Sequence, residues 1–126
     1  MPTSGRAGVR FADDARADVA APWRAALELA WAAYAAGTIP VGAVVVDASG
    51  RIVAEGENVV YRADADVPLD GSRLAHADVA ALGQLGSEFS HEDLTLYSTL
   101  DPCLLCAGAA VMATVGRVCF AAPTLR

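Results

Sequence analysis

Cys103 and Cys106 stand three positions apart behind Pro102, in Asp101-Pro102-Cys103-Leu104-Leu105-Cys106, and no other stretch constrains the fold as strongly. Proline suits the first turn of a helix, and residues at i and i+3 project from one side of it. The free N–H groups and partial positive charge of a helix start lower a thiol's pKa, so the pair reads as two metal ligands. His76, in His76-Ala77-Asp78 on the preceding helix, can supply a third. The chain must then fold so that these two segments meet. Three protein ligands with one position left open is the layout of a catalytic zinc, whereas structural zinc sites usually close with four.

The remaining composition narrows the partners. A chain of 126 residues fits one domain spanning 1–126, long enough to bury a core. No run of about 18 apolar residues is present, so no membrane span is expected. The N-terminal stretch mixes Arg6 and Arg10 with Asp13, Asp14 and Asp18 and does not read as a signal peptide. A net charge of -6, with arginine but no lysine, argues against nucleic acid and for a small neutral or weakly charged ligand. Three cysteines without a secretion signal fit a reducing cytoplasm better than a disulfide framework.

Along the chain, residues 1 to about 20 are expected to form a flexible or partly helical arm. Trp23, Leu27, Ala30, Trp31 and Tyr34 then recur at helical spacing behind Pro22, with Gly37 as the stop. Packing on a sheet accounts for both tryptophans. Ile39 to Asp47 is a β-branched run, Ala48-Ser49-Gly50 a turn, and Arg51 to Glu57 alternates, which predicts a hairpin. Gly42 inside its first strand points to a bulge or to a close approach of something to the backbone. The irregular stretch from Asn58 to Arg73 is longer than an ordinary connection and of the kind that is often functional. A second helix is expected over Leu74–Leu85, a strand over Leu94–Ser98, a third helix from Cys103 to about Val115, and a last strand over Arg117–Ala121. Strands alternating with helices late in the chain favour a parallel pair joined by a crossover. The expected fold is therefore α/β: a three-layer α-β-α sandwich with a mixed central sheet.

Three chemistries compete for the cysteine pair. A thioredoxin-like redox pair has the spacing but leaves His76 without a role. A structural zinc needs a fourth ligand from Cys119, His91 or Asp78; Cys119 lies in an apolar strand, where cysteine is usually a small hydrophobe, and His91 in a polar turn. An open zinc site instead asks for a carboxylate to move protons, since zinc makes a water acidic near neutral pH. Asp78, two residues after His76, is placed for that, although an acid near a helix start also stabilises the helix on its own.

Together these residues resemble the zinc-dependent cytidine deaminase-like superfamily, and within it the guanine, cytosine and tRNA adenosine deaminases. The resemblance runs from about Asp18 to Phe120 and is carried by Ile39 to Val46, Asn58, His76-Ala77-Asp78 and Ser98 to Ala109. The motif is the one generally described for nucleobase deaminases. It implies hydrolytic deamination of an amino-substituted nucleobase or nucleoside, with Zn2+ on His76, Cys103 and Cys106 and Asp78 as the catalytic proton carrier. It further implies substrate contacts from Asn58, Ala77, Asp101 and Pro102, with Val41, Gly42 and Ala43 passing under the ring. A homodimer paired through helices beside the site is also implied.

Two features depart from the family pattern. The proton carrier is glutamate in the family and Asp78 here, a retreat of roughly 1.3 Å for one methylene. A misplacement of about 1 Å can cost on the order of 100-fold in rate, or roughly 2.7 kcal/mol of barrier. A zinc-bound homologue of low or no activity, binding a base or a partner, is therefore the alternative expectation, with tRNA adenosine deamination a further one. Relatives also generally carry more chain after the last strand, and the Asn58–His76 loop is expected to form part of a lid.

Overall fold

The computed structural model describes residues 20–62, 69–87 and 91–123. Helix α1 covers Ala21–Ala35, with Pro22 in its first turn, where the missing N–H costs nothing. It stops at Gly37, whose φ of 85° places it in the left-handed region. The Gly37 and Thr38 amides donate back to Tyr34 and Ala33, closing the helix end. Strands β1 (Gly42–Val46) and β2 (Ile52–Glu57) form the expected hairpin, paired antiparallel with a register shift between Val45 and Val46. Asp47 builds its turn by accepting from the Ser49 and Arg51 amides and the Ser49 hydroxyl.

Helix α2 (Ala77–Leu82), strand β3 (Thr95–Leu100), helix α3 (Leu104–Met112) and strand β4 (Arg117–Ala122) complete the order. The sheet runs β2-β1-β3-β4, antiparallel except for the β3–β4 pair, which α3 joins in parallel. Alternation along β1 separates two cores. Ala43 and Val45, with Leu96, lie under Ala77, Ala81 and Leu82 of α2 and Ala110 of α3. Val44 and Val46 face Ala26 of α1, with Ile52 and Tyr97 alongside. The sheet thus has helices on both faces, as the three-layer α/β expectation required. Trp23 meets Tyr97 edge-on at 5.1 Å, so this tryptophan ties α1 to the sheet.

The cores are built from alanine and valine, which lets helices sit close to the strands. Two glycines take this to its limit. A Cβ at Gly42 would lie 2.2 Å from the Ala26 carbonyl oxygen of α1, and one at Gly56 2.3 Å from that of Ala77. The element approaching the Gly42 backbone is therefore helix α1.

Several boundaries differ from those the sequence predicts. Helix α2 is shorter than Leu74–Leu85. The Ser72 hydroxyl accepts from the Leu74 amide, His76 is extended (φ -77°, ψ 149°), and the chain leaves the helix at Gly83. Helix α3 starts after Cys103 and ends at Met112 rather than Val115, where Thr114 takes a positive φ of 56°. Before β1, the Val41 amide donates to Ile39 across Pro40 in a tight turn, so the strand begins at Gly42. The expected N-terminal arm lies outside the described residues apart from Ala20, as do residues 63–68 of the long loop. The flanks of that loop are pinned, with the Ala75 carbonyl accepting from Val59 and the Val59 carbonyl from Gly71.

Candidate metal centre

His76 and Cys103 occupy equivalent places, each the extended residue immediately before a helix, and neither side chain caps its own helix. Both are turned toward each other instead. His76 Nδ1 lies 3.5 Å from Cys103 Sγ and 3.4 Å from Cys106 Sγ, and the two sulfurs are 3.6 Å apart. Ordinary Zn–S and Zn–N bonds in a tetrahedron give edges of about 3.8 Å between sulfurs and about 3.6 Å between sulfur and nitrogen. The observed triangle has those proportions, so the three residues fit a zinc ion before any adjustment. Ligation through Nδ1 requires that nitrogen unprotonated, which places the ring proton on Nε2.

No fourth protein ligand joins them among the described residues. Among the described residues the cluster that can hold a metal is His76, Cys103 and Cys106. Cys119 sits on β4 opposite Tyr97, and His91 is engaged with the Gly86 carbonyl at 2.6 Å beside a different cavity, of about 480 Å³. The triad therefore keeps one side free, and that side opens on a cavity of about 270 Å³. The three ligands share its wall with Val41, Asn58, Ala77, Asp78, Asp101 and Pro102, together with Ile39, Ser98 and Leu100. Gly42 and Ala43 lie apart from it. Gly42 turns toward α1 while its amide donates to Thr99 Oγ1 at 3.1 Å, and Ala43 is in the core under α2.

Asn58, Asp78, Ser98 and Cys106 in this wall are buried, and His76, Asp101 and Cys103 are half-buried. Asp78 is 2% exposed, and among the described residues neither its Oδ1 nor the Ser98 hydroxyl has a partner at hydrogen-bond distance, although Ser98 and Cys106 lie near the carboxylate. An unpaired buried carboxylate oxygen is costly, and such atoms are kept mainly where chemistry uses them. Burial lifts the Asp78 carboxyl above the ordinary carboxylate range, against the opposing pull of Ser98, Cys106 and the His76 charge. Burial, reinforced by Asp78, pushes the Cys106 thiol strongly up. A bound divalent cation opposes both shifts by favouring thiolate and carboxylate.

These features correspond to a known sequence family. The sequence model of the cytidine and deoxycytidylate deaminase zinc-binding region matches residues 19–122. The chain belongs to this family. It is 41% identical over 102 residues to the tRNA-specific adenosine deaminase of Haemophilus influenzae, covering 79% of this chain and 55% of that one. Among solved structures, a tRNA:A34 deaminase superposes with a TM-score of 0.68 at 30% identity, covering 82% of this chain and 75% of that one. Guanine deaminase from Bacillus subtilis superposes at 0.64 with 35% identity, over 78% and 60%. The chain thus spans about half the length of the Haemophilus relative.

Zinc is accordingly the cofactor, and His76, Cys103 and Cys106 can hold it. Sequence reasoning missed Ile39, Ser98 and Leu100 in the cavity wall. Ser98 carried a usable signal: Leu96, Ser98 and Leu100 share one face of β3, and a hydroxyl between two leucines on a buried face calls for a function.

Proposed function

We propose that the chain is the catalytic domain of a zinc-dependent hydrolase that replaces the exocyclic amino group of a nucleobase or nucleoside by oxygen and releases ammonia. The observation that carries this reading is the open His76–Cys103–Cys106 triangle beside a buried, unpartnered Asp78 oxygen in one cavity. His76, Cys103 and Cys106 hold zinc, which when bound supplies the Lewis acidity that makes water nucleophilic near neutral pH. Asp78, at its Oδ1, would take up a proton from the attacking water and hand protons to the ring nitrogen and the departing amine. One water is consumed, one C–N bond breaks, one C–O bond forms, and ammonia leaves.

Asn58 orients the ring, and Ile39, Val41 and Leu100 supply apolar walls that exclude water. A free base or nucleoside suits the acidic chain best, with its net charge of -6. The tRNA-specific adenosine deaminase among its relatives supports a second substrate, an adenosine in RNA. The two separate by salt: RNA affinity that falls steeply with ionic strength favours the second. Pairing into a homodimer is supported by the apolar outer face of α3, where Leu104 is 89% and Met112 84% exposed. The three free cysteines are in keeping with a cytoplasmic site of action.

The test is ammonia release by zinc-loaded protein from bases, nucleosides and tRNA. Turnover in the wild type that falls about 100-fold or more in Asp78→Ala supports the reading. No turnover in the wild type, with turnover in Asp78→Glu, assigns the chain to the inactive alternative.

A further inference from the structure

Asn58 is 3% exposed, and its side-chain oxygen is fully used inside the protein. Thr38 Oγ1 donates to Asn58 Oδ1 at 2.7 Å, and the Val60 amide donates to the same atom at 3.0 Å. An amide oxygen has two lone pairs, so both are engaged. Thr38, itself 6% exposed, is held as a donor because the Tyr61 amide donates to its oxygen at 3.4 Å. The amide orientation is therefore dictated by the network. The Val60 N–H can only donate, and a flipped Asn58 would oppose it with a second donor. What remains is the Nδ2 amino group, two donors without a protein partner among the described residues, on a side chain that lines the cavity.

We propose that Thr38 is a positioning residue that locks the Asn58 amide with its donors toward the cavity, so that the site selects rings carrying a hydrogen-bond acceptor at that edge. The inference rests on the deaminase reading of the same cavity. Thr38 sits where α1 ends and Asn58 where β2 ends, and the network joins both to the start of the long loop at Val60 and Tyr61. The occupant it selects is a ring with an exocyclic carbonyl or an unprotonated ring nitrogen. A ring presenting an amino or N–H group there meets two donors with a third and leaves buried groups unpaired, which is the strongest basis a pocket has for rejection.

The experiment compares wild type, Thr38→Val and Thr38→Ser as zinc-loaded proteins, with zinc content and Tm measured on each. The probes are cytosine against 4-aminopyrimidine, guanine against 2-aminopurine, and adenine against its 3- and 7-deaza forms. Each deaza form lacks one ring-nitrogen acceptor, whereas 4-aminopyrimidine and 2-aminopurine lack the exocyclic carbonyl and carry an acceptor nitrogen in place of the neighbouring ring N–H. Cytidine and adenosine form a further arm, since a preference gained only with the sugar present assigns the Asn58 contact to a ribose hydroxyl. Wild type is expected to prefer the acceptor-bearing member of one pair. Thr38→Val should erode that preference on the order of tenfold, with the loss in KM rather than kcat and with one zinc retained. Thr38→Ser keeps the hydroxyl and should restore the preference. In the zinc-loaded protein without base, the Asn58 side-chain NH2 signals should be sharp in wild type and Thr38→Ser and exchange-broadened in Thr38→Val. Equal discrimination and equally sharp signals in Thr38→Val overturn the proposal and leave the deaminase reading intact. A wild type that neither binds nor turns over any base overturns both.

Discussion

Gly56 is the residue through which the fold controls the metal site, and replacing it with alanine tests that link. The new Cβ would lie 2.3 Å from the Ala77 carbonyl oxygen and 2.7 Å from the Ala81 amide nitrogen, both on the backbone of α2, and 3.0 Å from Ala80 Cβ. No rotamer change relieves a clash with backbone, so α2 must withdraw from β2. Moving the first contact from 2.3 Å to even the tightest real Cβ contact of 3.0 Å asks for roughly 0.7 Å. His76 immediately precedes Ala77 and travels with it, whereas Cys103 and Cys106 are fixed by β3 and α3. Metal–ligand bonds tolerate only about 0.2 Å, so a shift of this size takes His76 out of bonding reach unless the helix is strained back. Gly56→Ala should therefore lose zinc affinity by about 10- to 100-fold, the range seen when a ligand's supporting contacts are removed, and overpacking should cost about 1–3 kcal/mol of stability. The assay is competition for zinc against a chelating indicator, alongside thermal unfolding with and without zinc. Gly108→Ala is the control: nothing lies within 4 Å of its added Cβ, and it should bind zinc normally while gaining up to about 1 kcal/mol of helix propensity. Wild-type zinc affinity in Gly56→Ala would refute the claim that this close approach sets the ligand geometry.

Three further perturbations discriminate parts of the account. Cys106→Ser should abolish stoichiometric zinc binding and, with it, the rise in wild-type Tm that follows from about 2.7 kcal/mol of stabilisation at a hundredfold excess of zinc over Kd, while Cys119→Ser keeps both; elemental analysis and calorimetry read the difference. Asp47 has its pKa lowered chiefly by the Ser49 hydroxyl and the Arg51 amide, so its contribution is present above the unfolded value of 3.8 and fades as pH falls through the lower folded value. Asp47→Asn should accordingly lower Tm at neutral pH, and the gap to wild type should close in acid, as followed by circular dichroism. Val111→Asp, on the exposed apolar face of α3, tests the proposed homodimer: it should leave Tm of the separated chain nearly unchanged and shift sedimentation from dimer to monomer, and a wild type that sediments as a monomer refutes the proposed pairing.

The order of elements was legible because each depended on a local signal. Gly37 stops α1, Asp47 to Gly50 makes the hairpin turn, and a helix between two late strands forces the parallel β3–β4 pair. The helix ends were less legible because alanine-rich runs continue past them without a sequence break. Leu74 and Ala75 look helical, yet the Ser72 hydroxyl diverts the Leu74 amide and His76 is extended. Gly42 left a bulge and a close approach both open, since nothing local in β1 says that Ala26 of α1 passes over it. The Thr38–Asn58 bond was invisible for the same reason: it joins the end of a helix to the end of a strand, and only the assembled sandwich brings them together.

The metal ligands were legible for a reason the structure makes clear. A residue immediately before a helix is normally Ser, Thr, Asp or Asn, whose side chain satisfies the helix's own free N–H groups at a gain of about 1 kcal/mol. Here those places are held by His76 and Cys103, and neither makes a capping bond. Extended backbone at both positions aims the side chains away from their own helices and into the space between them. The glycine at position 56 lets α2 approach the sheet, while β3 and α3 place Cys103 and Cys106 on the other side of the gap. Local helix stability is thus forgone at two junctions, and a triangle of ligands results that neither segment forms alone. A zinc ion bound there stabilises both helix starts at once, so metal affinity and the packing of α2 on the sheet are two readings of one equilibrium. This coupling is why a change at Gly56, which touches no ligand, reaches the site at all.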